Sequence, residues 1–229
     1  MKYTVLLLDA DMTLLNFDED EKNALYGVLN ENGIRCDEKV LSLYHEINIG
    51  FWKRFEKGEI EKSEIGPGRF GELVRQLSAD ADGNRLNLTY MQKLSEGGAV
   101  LDGAPELLRI LQEKGAELYI ITNGTDFIQQ KRLKKSGLTE YINGVFISDT
   151  VGHQKPKKEF FDCVLSQIKE KDKSKMLIVG DSLTSDIRGG LNSGIDTCLY
   201  APGDIPVSEQ IKPKYTVRSY GELIKLLEK

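Results

Sequence analysis

Four short clusters in this 229-residue chain carry residue types that do chemistry together. Asp9-Ala10-Asp11-Met12-Thr13 lies near the N-terminus, and Thr122-Asn123-Gly124 lies past the middle. Lys155 follows within Gly152-His153-Gln154-Lys155-Pro156, and Asp181 and Asp186 close the set within Gly180-Asp181-Ser182-Leu183-Thr184-Ser185-Asp186. Carboxylates at i and i+2 leave a strand on the same side, so Asp9 and Asp11 would point over one sheet edge and repel. With Asp181 and Asp186 added, the site is tolerable only around a cation, and an all-oxygen donor set suits Mg²⁺. Thr122 and the backbone N–H groups of Asn123 and Gly124, at the start of a helix, would face a bound anion. Lys155 supplies a compact positive charge opposite the metal. Carboxylates, Mg²⁺, helix amides and a lysine together describe a phosphoryl site.

Taken singly, each cluster has a plain structural reading, since acidic residues cap turns and Thr-Asn-Gly is itself a turn. What carries the phosphoryl reading is that all four occur in this order, each near a predicted strand end. Residues 3–8, 118–121, 145–147, 176–179 and 197–200 are short and nearly continuous in apolar character, as buried parallel strands are. Helical periods over 105–114, 126–135 and 157–169 alternate with them, two of these stopping at Gly115 and Gly137. This alternation predicts an α/β, doubly wound, Rossmann-like parallel sheet, which binds ligands outside the carboxyl ends of its strands.

Residues 16–97 break the alternation, with helical periodicity and no strand. Val40, Leu43, Tyr44, Ile47, Phe51 and Phe55 would form one apolar stripe, and Asp18 with Glu21 reads as an N-terminal cap ahead of residues 24–29. The expected organisation is an α/β core of residues 1–15 and 98–229 with an all-helical domain, 16–97, inserted after the first strand.

Composition narrows the partners. The chain has 31 Lys plus Arg against 36 Asp plus Glu, a net charge of −5 with both signs scattered, so a nucleic acid polymer is not expected. Apolar runs such as Val5 to Leu8 are far too short for a membrane span, and Asp9 and Asp11 interrupt any secretory h-region, so a cytoplasmic location is expected. Cys36, Cys163 and Cys198 lack metal or disulfide spacing and read as reduced thiols. Neither a GxGxxG nor a GxxxxGK[ST] sequence occurs. A small anionic molecule is the expected partner, bound by a monomer or homodimer.

Asp9-Ala10-Asp11-Met12-Thr13-Leu14, Ile121-Thr122-Asn123-Gly124, Lys155-Pro156 and the Gly180 to Asp186 run resemble the four motifs of the haloacid dehalogenase (HAD) superfamily. The helical insertion is similar to that superfamily's C1 cap domain, which closes over the site. Within it, Ile47-Asn48, Trp52, Glu56, Gly58-Glu59-Ile60 and Arg69-Phe70 resemble the pyrimidine 5′-nucleotidase branch. The chain departs from that branch at Gly66-Pro67-Gly68, which should break the helix before the Arg-Phe pair.

The resemblance implies that Asp9 attacks phosphorus to form an aspartyl-phosphate, as a metal-bound carboxylate facing a phosphate would. Asp11 would be the general acid for the leaving oxygen and then the base that activates water. Mg²⁺ is assigned to Asp9, the backbone carbonyl of Asp11 and Asp181, with Asp186 binding it directly or holding another ligand. Thr122, Asn123, Gly124 and Lys155 would hold the phosphoryl group. Asn48, Trp52 and Arg69 are the candidate specificity residues, against packing for Trp52 and a solvated or cap-to-core ion pair for Arg69. Asp149 would orient Lys155 or cap a turn. The implied function is a Mg²⁺-dependent phosphatase, a 5′-nucleotidase on pyrimidine nucleoside monophosphates. The alternatives are a sugar-phosphate phosphatase or phosphomutase on the same scaffold, and more remotely a phospho-aspartate signalling receiver. A receiver would carry its aspartate after a later strand and lack the insertion.

Overall fold

The computed structural model describes residues 1–203, 208 and 210–228. The chain divides into two compact units, Met1–Phe17 with Gly98–Lys229, and Asp18–Gly97. Six strands are described: β1 (Val5–Leu8), β2 (Glu117–Thr122), β3 (Gly144–Ile147), β4 (Met176–Gly180), β5 (Asp196–Tyr200) and β6 (Tyr215–Val217). The described helices are α1 (Phe17–Glu31), α2 (Glu38–Glu56), α3 (Lys62–Leu77), α4 (Gly83–Ser95), α5 (Ala104–Glu113), α6 (Asp126–Ser136), α7 (Ser148–Val151), α8 (Lys158–Gln167), α9 (Arg188–Ser193) and α10 (Tyr220–Leu227).

The strands form one parallel sheet in the order β3-β2-β1-β4-β5-β6. Alternate residues of each strand serve opposite faces. Leu6 and Leu8 of β1 pack with Leu107 and Leu111 of α5 and Leu223 and Leu227 of α10. Val5 and Leu7 pack with Phe160, Phe161 and Val164 of α8 on the other face. Both faces being covered, the strands need apolar residues throughout, which is why they read as unbroken apolar runs. Five of the six lie where the sequence predicts them. β6 has three residues, only one of them buried, too weak a pattern to read. The strand order reverses direction between β1 and β4, and ligands bind at the crevice such a reversal opens.

In the helical unit, α2, α3 and α4 bring Tyr44, Phe70 and Tyr90 together with ring centroids 5.1 to 5.6 Å apart. The Asp37 side chain accepts the N–H groups of Lys39 and Val40 and starts α2. The buried line of α2 runs through Tyr44, Asn48 and Phe55, so the expected apolar stripe contains a polar residue, and Val40, Leu43, Ile47 and Phe51 are only half-buried.

Two local expectations are corrected. α3 runs unbroken through Gly66-Pro67-Gly68. Pro67 is exposed there, and the flanking glycines face close neighbours: a Cβ on Gly68 would lie 2.3 Å from the Phe51 ring and one on Gly66 2.6 Å from the Asn87 amide. Helix–helix approach, not a break, accounts for the two glycines. Nor do Asp18 and Glu21 cap α1, which already begins at Phe17; Glu21 is buried and bonded within the helical unit.

All three cysteines are free, Cys36 and Cys198 buried and Cys163 half-buried. Among the described residues no helix is long and apolar enough to cross a membrane.

Candidate active site

Asp9 extends β1, its backbone N–H donating to Val179 of β4 at 2.9 Å, so its carboxylate stands at the strand-order reversal. The chain then turns tightly. Met12 adopts a left-handed φ of 57°, and the N–H groups of Leu14 and Leu15 both donate to the Ala10 carbonyl. A non-glycine residue in that region is uncommon and marks a loop whose surroundings over-determine it.

Lys155 is 2% exposed and lies among the carboxylates. Its ammonium donates to Asp9 Oδ1 at 2.5 Å, Asp186 Oδ1 at 2.7 Å and the Ile121 carbonyl at 2.9 Å, using all three protons. Asp186 is fully buried and its Oδ2 accepts the Ser182 N–H at 3.1 Å. A Cβ on Gly180 would lie 2.2 Å from that carboxylate, so only glycine lets the loop fold back on the strand end.

Asp9, Asp181 and Asp186 each offer an oxygen within 4.8 Å of the others. Burial pushes the Asp9 carboxyl well above its ordinary range; Lys155 pulls it back, while Asp186 and Asp181 push it further. Asp181 is pushed up to about 7 by burial and by Asp186. Burial alone would lower Lys155, but Asp186 and Asp9 outweigh it and hold the ammonium charged. Three crowded carboxylates facing one compensating cation form an all-oxygen set that fits a hard divalent ion such as Mg²⁺.

Thr122 ends β2, and its Oγ1 accepts the Gly124 N–H at 3.1 Å. The Gly124 N–H expected to face an anion is therefore turned onto Thr122. The Asn123 side chain is also engaged: Nδ2 donates to the Lys155 carbonyl and Oδ1 accepts the Lys155 N–H, both at 2.9 Å. Asn123 thereby pins the backbone that carries Lys155. Asp149 accepts the Asp126 N–H at 3.0 Å at the start of α6, and His153 is exposed.

Asp11 meets two residues that sequence reasoning missed. Arg132 Nη1 donates to its Oδ1 at 2.5 Å, and Gln129 Nε2 donates to its Oδ2 at 2.7 Å. Both partners lie on the buried face of α6, among Ile128 and Leu133. Polar residues at i and i+3 on the face that Ile128 and Leu133 define were the available signal.

In the helical unit, Asn48 and Arg69 are buried in one hydrogen-bonded chain. Arg69 Nη1 donates to Asn48 Oδ1 at 2.7 Å, and Asn48 Nδ2 donates to Glu21 Oε1 at 2.6 Å. The Arg69 guanidinium sits 4.8 Å from the Tyr90 ring centroid and 5.9 Å from that of Tyr44. Arg69 is thus a buried cation in an aromatic cage instead of a solvated one. Trp52 is half-buried, edge-on to Phe55 at 5.8 Å.

Residues 3–194 match the haloacid dehalogenase-like hydrolase family. The chain is 41% identical to the pyrimidine 5′-nucleotidase PynA of Streptococcus pneumoniae, covering 100% of this chain and 97% of that one. It is 34% identical to the pyrimidine 5′-nucleotidase YjjG of Escherichia coli, covering 99% of both. The magnesium-bound crystal structure of the HAD-hydrolase YfnB from Bacillus subtilis superposes with a TM-score of 0.95 at 38% identity over the whole of both chains. The chain therefore belongs to the haloacid dehalogenase-like hydrolase family, as one of its phosphatases.

Proposed function

We propose that this phosphatase is a Mg²⁺-dependent 5′-nucleotidase that hydrolyses pyrimidine nucleoside monophosphates through a phosphorylated Asp9. The observation that carries the chemistry is the Asp9 carboxylate at the β1/β4 crevice, bonded to Lys155 and grouped with Asp181 and Asp186. The substrate rests on the full-length similarity to two enzymes named as pyrimidine 5′-nucleotidases.

An Asp9 oxygen attacks phosphorus as the bond to the nucleoside 5′ oxygen breaks, and Asp11 delivers a proton to that leaving oxygen. Water then attacks the aspartyl-phosphate, Asp11 takes its proton, and phosphate leaves with Asp9 restored. Thr122 donates its hydroxyl proton to a phosphoryl oxygen. Lys155 has no spare donor in this geometry, so it reaches the phosphoryl group by exchanging one of its three present acceptors. Asp9, Asp181, Asp186 and the Asp11 backbone carbonyl would hold Mg²⁺, which neutralises phosphoryl charge and keeps these carboxylates ionised.

Base selection is assigned to the helical insertion, acting as a cap. Of its three candidates, Trp52 is the one that is not buried and is assigned to stacking, while Asn48 and Arg69 set the shape of the helical core. The test is kcat/KM with Mg²⁺ for pyrimidine and purine 5′-monophosphates and for sugar phosphates. Preference for the pyrimidine nucleotides supports the assignment; turnover confined to sugar phosphates overturns it and keeps the chemistry.

A further inference from the structure

The mechanism above leaves two buried polar residues of α6 without a task. We infer that Gln129 and Arg132 are positioning residues that fix the hydrogen-bonding polarity of Thr122 and hold Asp11, an assignment that rests on the phosphoryl-transfer reading of those two residues.

A guanidinium has donors only. Arg132 Nη1 lies 3.0 Å from the Gln129 side chain, so the atom facing it is Oε1 and the amide can point only one way. Gln129 Nε2 then turns its two protons to Asp11 Oδ2 at 2.7 Å and Thr122 Oγ1 at 2.8 Å. Thr122 Oγ1 accepts this proton and the Gly124 N–H, which occupies both of its lone pairs. Its own proton is left to donate, the polarity a phosphoryl oxygen needs. Asp11 accepts on both oxygens, from Arg132 and from Gln129. One buried guanidinium, 1% exposed, thus orients an amide, and the amide orients both the hydroxyl that grips phosphate and the carboxylate that handles the proton.

A purely structural pair would respond to substitution according to packing. A polarity relay responds to the direction of the hydrogen bonds. Gln129→Glu keeps the shape and adds an ion pair to Arg132, but it accepts where Gln129 donates: it draws the Thr122 proton inward and faces Asp11 with like charge. Gln129→Met fills the space with no polarity.

The experiment measures kcat, KM, thermal midpoint and competitive inhibition by orthophosphate for Q129E and Q129M, with Arg132→Lys and Arg132→Met alongside. Expected is a loss in kcat of about 10²–10³-fold for Q129E, on the scale of removing a donor from a transition-state oxygen. Q129M should lose about tenfold less than Q129E, although its thermal midpoint is the lower of the two, and orthophosphate should bind Q129E about tenfold more weakly. R132K, which keeps a donor toward Oε1, should retain about tenfold more kcat than R132M. Equal losses in Q129E and Q129M, or losses that track the thermal midpoint, overturn the relay. Should Q129E fail to fold, equal kcat in R132K and R132M overturns it. Active wild-type protein with indifferent variants overturns only the relay, whereas wild-type protein inactive on every phosphomonoester overturns the phosphatase reading with it.

Discussion

Asp11 and Arg132, far apart in the chain, meet as carboxylate and buried guanidinium at 2.5 Å, with Gln129 bonded to both. Removing the carboxylate would strand a buried charge. Asp11→Ala should therefore destabilise the protein by about 3 kcal/mol; Asp11→Asn also removes the charge and sets its amide NH2 against the Gln129 donor, but it keeps an acceptor for Arg132 and should lose roughly half as much. Both should lose kcat by about 10²–10⁴-fold, so activity and stability separate. Chemical denaturation alongside initial rates checks this.

Asn123 supports Lys155 through two hydrogen bonds to its backbone. Asn123→Ala should cost about 1–3 kcal/mol of stability and lower kcat/KM, because the ammonium loses its fixed height above the sheet edge. Urea unfolding together with steady-state kinetics measures both.

The metal-free protein should have an inverted pH dependence in mildly acidic solution. Asp9 and Asp181 titrate above the ordinary carboxylate range when folded, Asp181 at about 7, and near 4 when unfolded. Between about pH 4 and 7 the folded state binds more protons, so stability falls as pH rises through that window. Bound Mg²⁺ would hold the same carboxylates ionised and should flatten the slope. Thermal unfolding across this range, in chelator and in millimolar Mg²⁺, provides the check; a metal-free midpoint that rises with pH throughout would contradict it.

In the helical insertion, Gly68 packs against the Phe51 ring with no room for a methyl group. Gly68→Ala should destabilise by about 1–3 kcal/mol through overpacking. Pro67→Ala, at an exposed helical position, should be neutral or stabilising, since it restores a backbone donor. Circular dichroism melts of the two variants decide whether the tripeptide is a packing device or a break.

The sheet and the four clusters were legible because both depend on local pattern. Strands covered on two faces read as apolar runs, and Asp9, Thr122, Lys155 and Asp181 fall near strand ends, where an open parallel sheet places its ligands. The hydrogen bonds that Asn123 makes to the Lys155 backbone and Gly124 to Thr122 were not legible, because they depend on how the loop folds and not on local pattern. Arg132 was hidden for a related reason: its partner Asp11 is far away in sequence, and a lone arginine on a polar helix reads as solvated. Gly66-Pro67-Gly68 misled because helix propensity is local, whereas the close approach of Phe51 and Asn87 is tertiary.

The central claim is that Asp9 is the nucleophile of a metal-dependent phosphatase. The most direct measurement is phosphate release from a pyrimidine nucleoside monophosphate by the wild type and by Asp9→Asn, each with Mg²⁺ and with chelator. Multiple turnovers by the wild type with Mg²⁺, lost both in chelator and in Asp9→Asn, are predicted. Turnover that survives in Asp9→Asn, or that is indifferent to the chelator, would contradict the account.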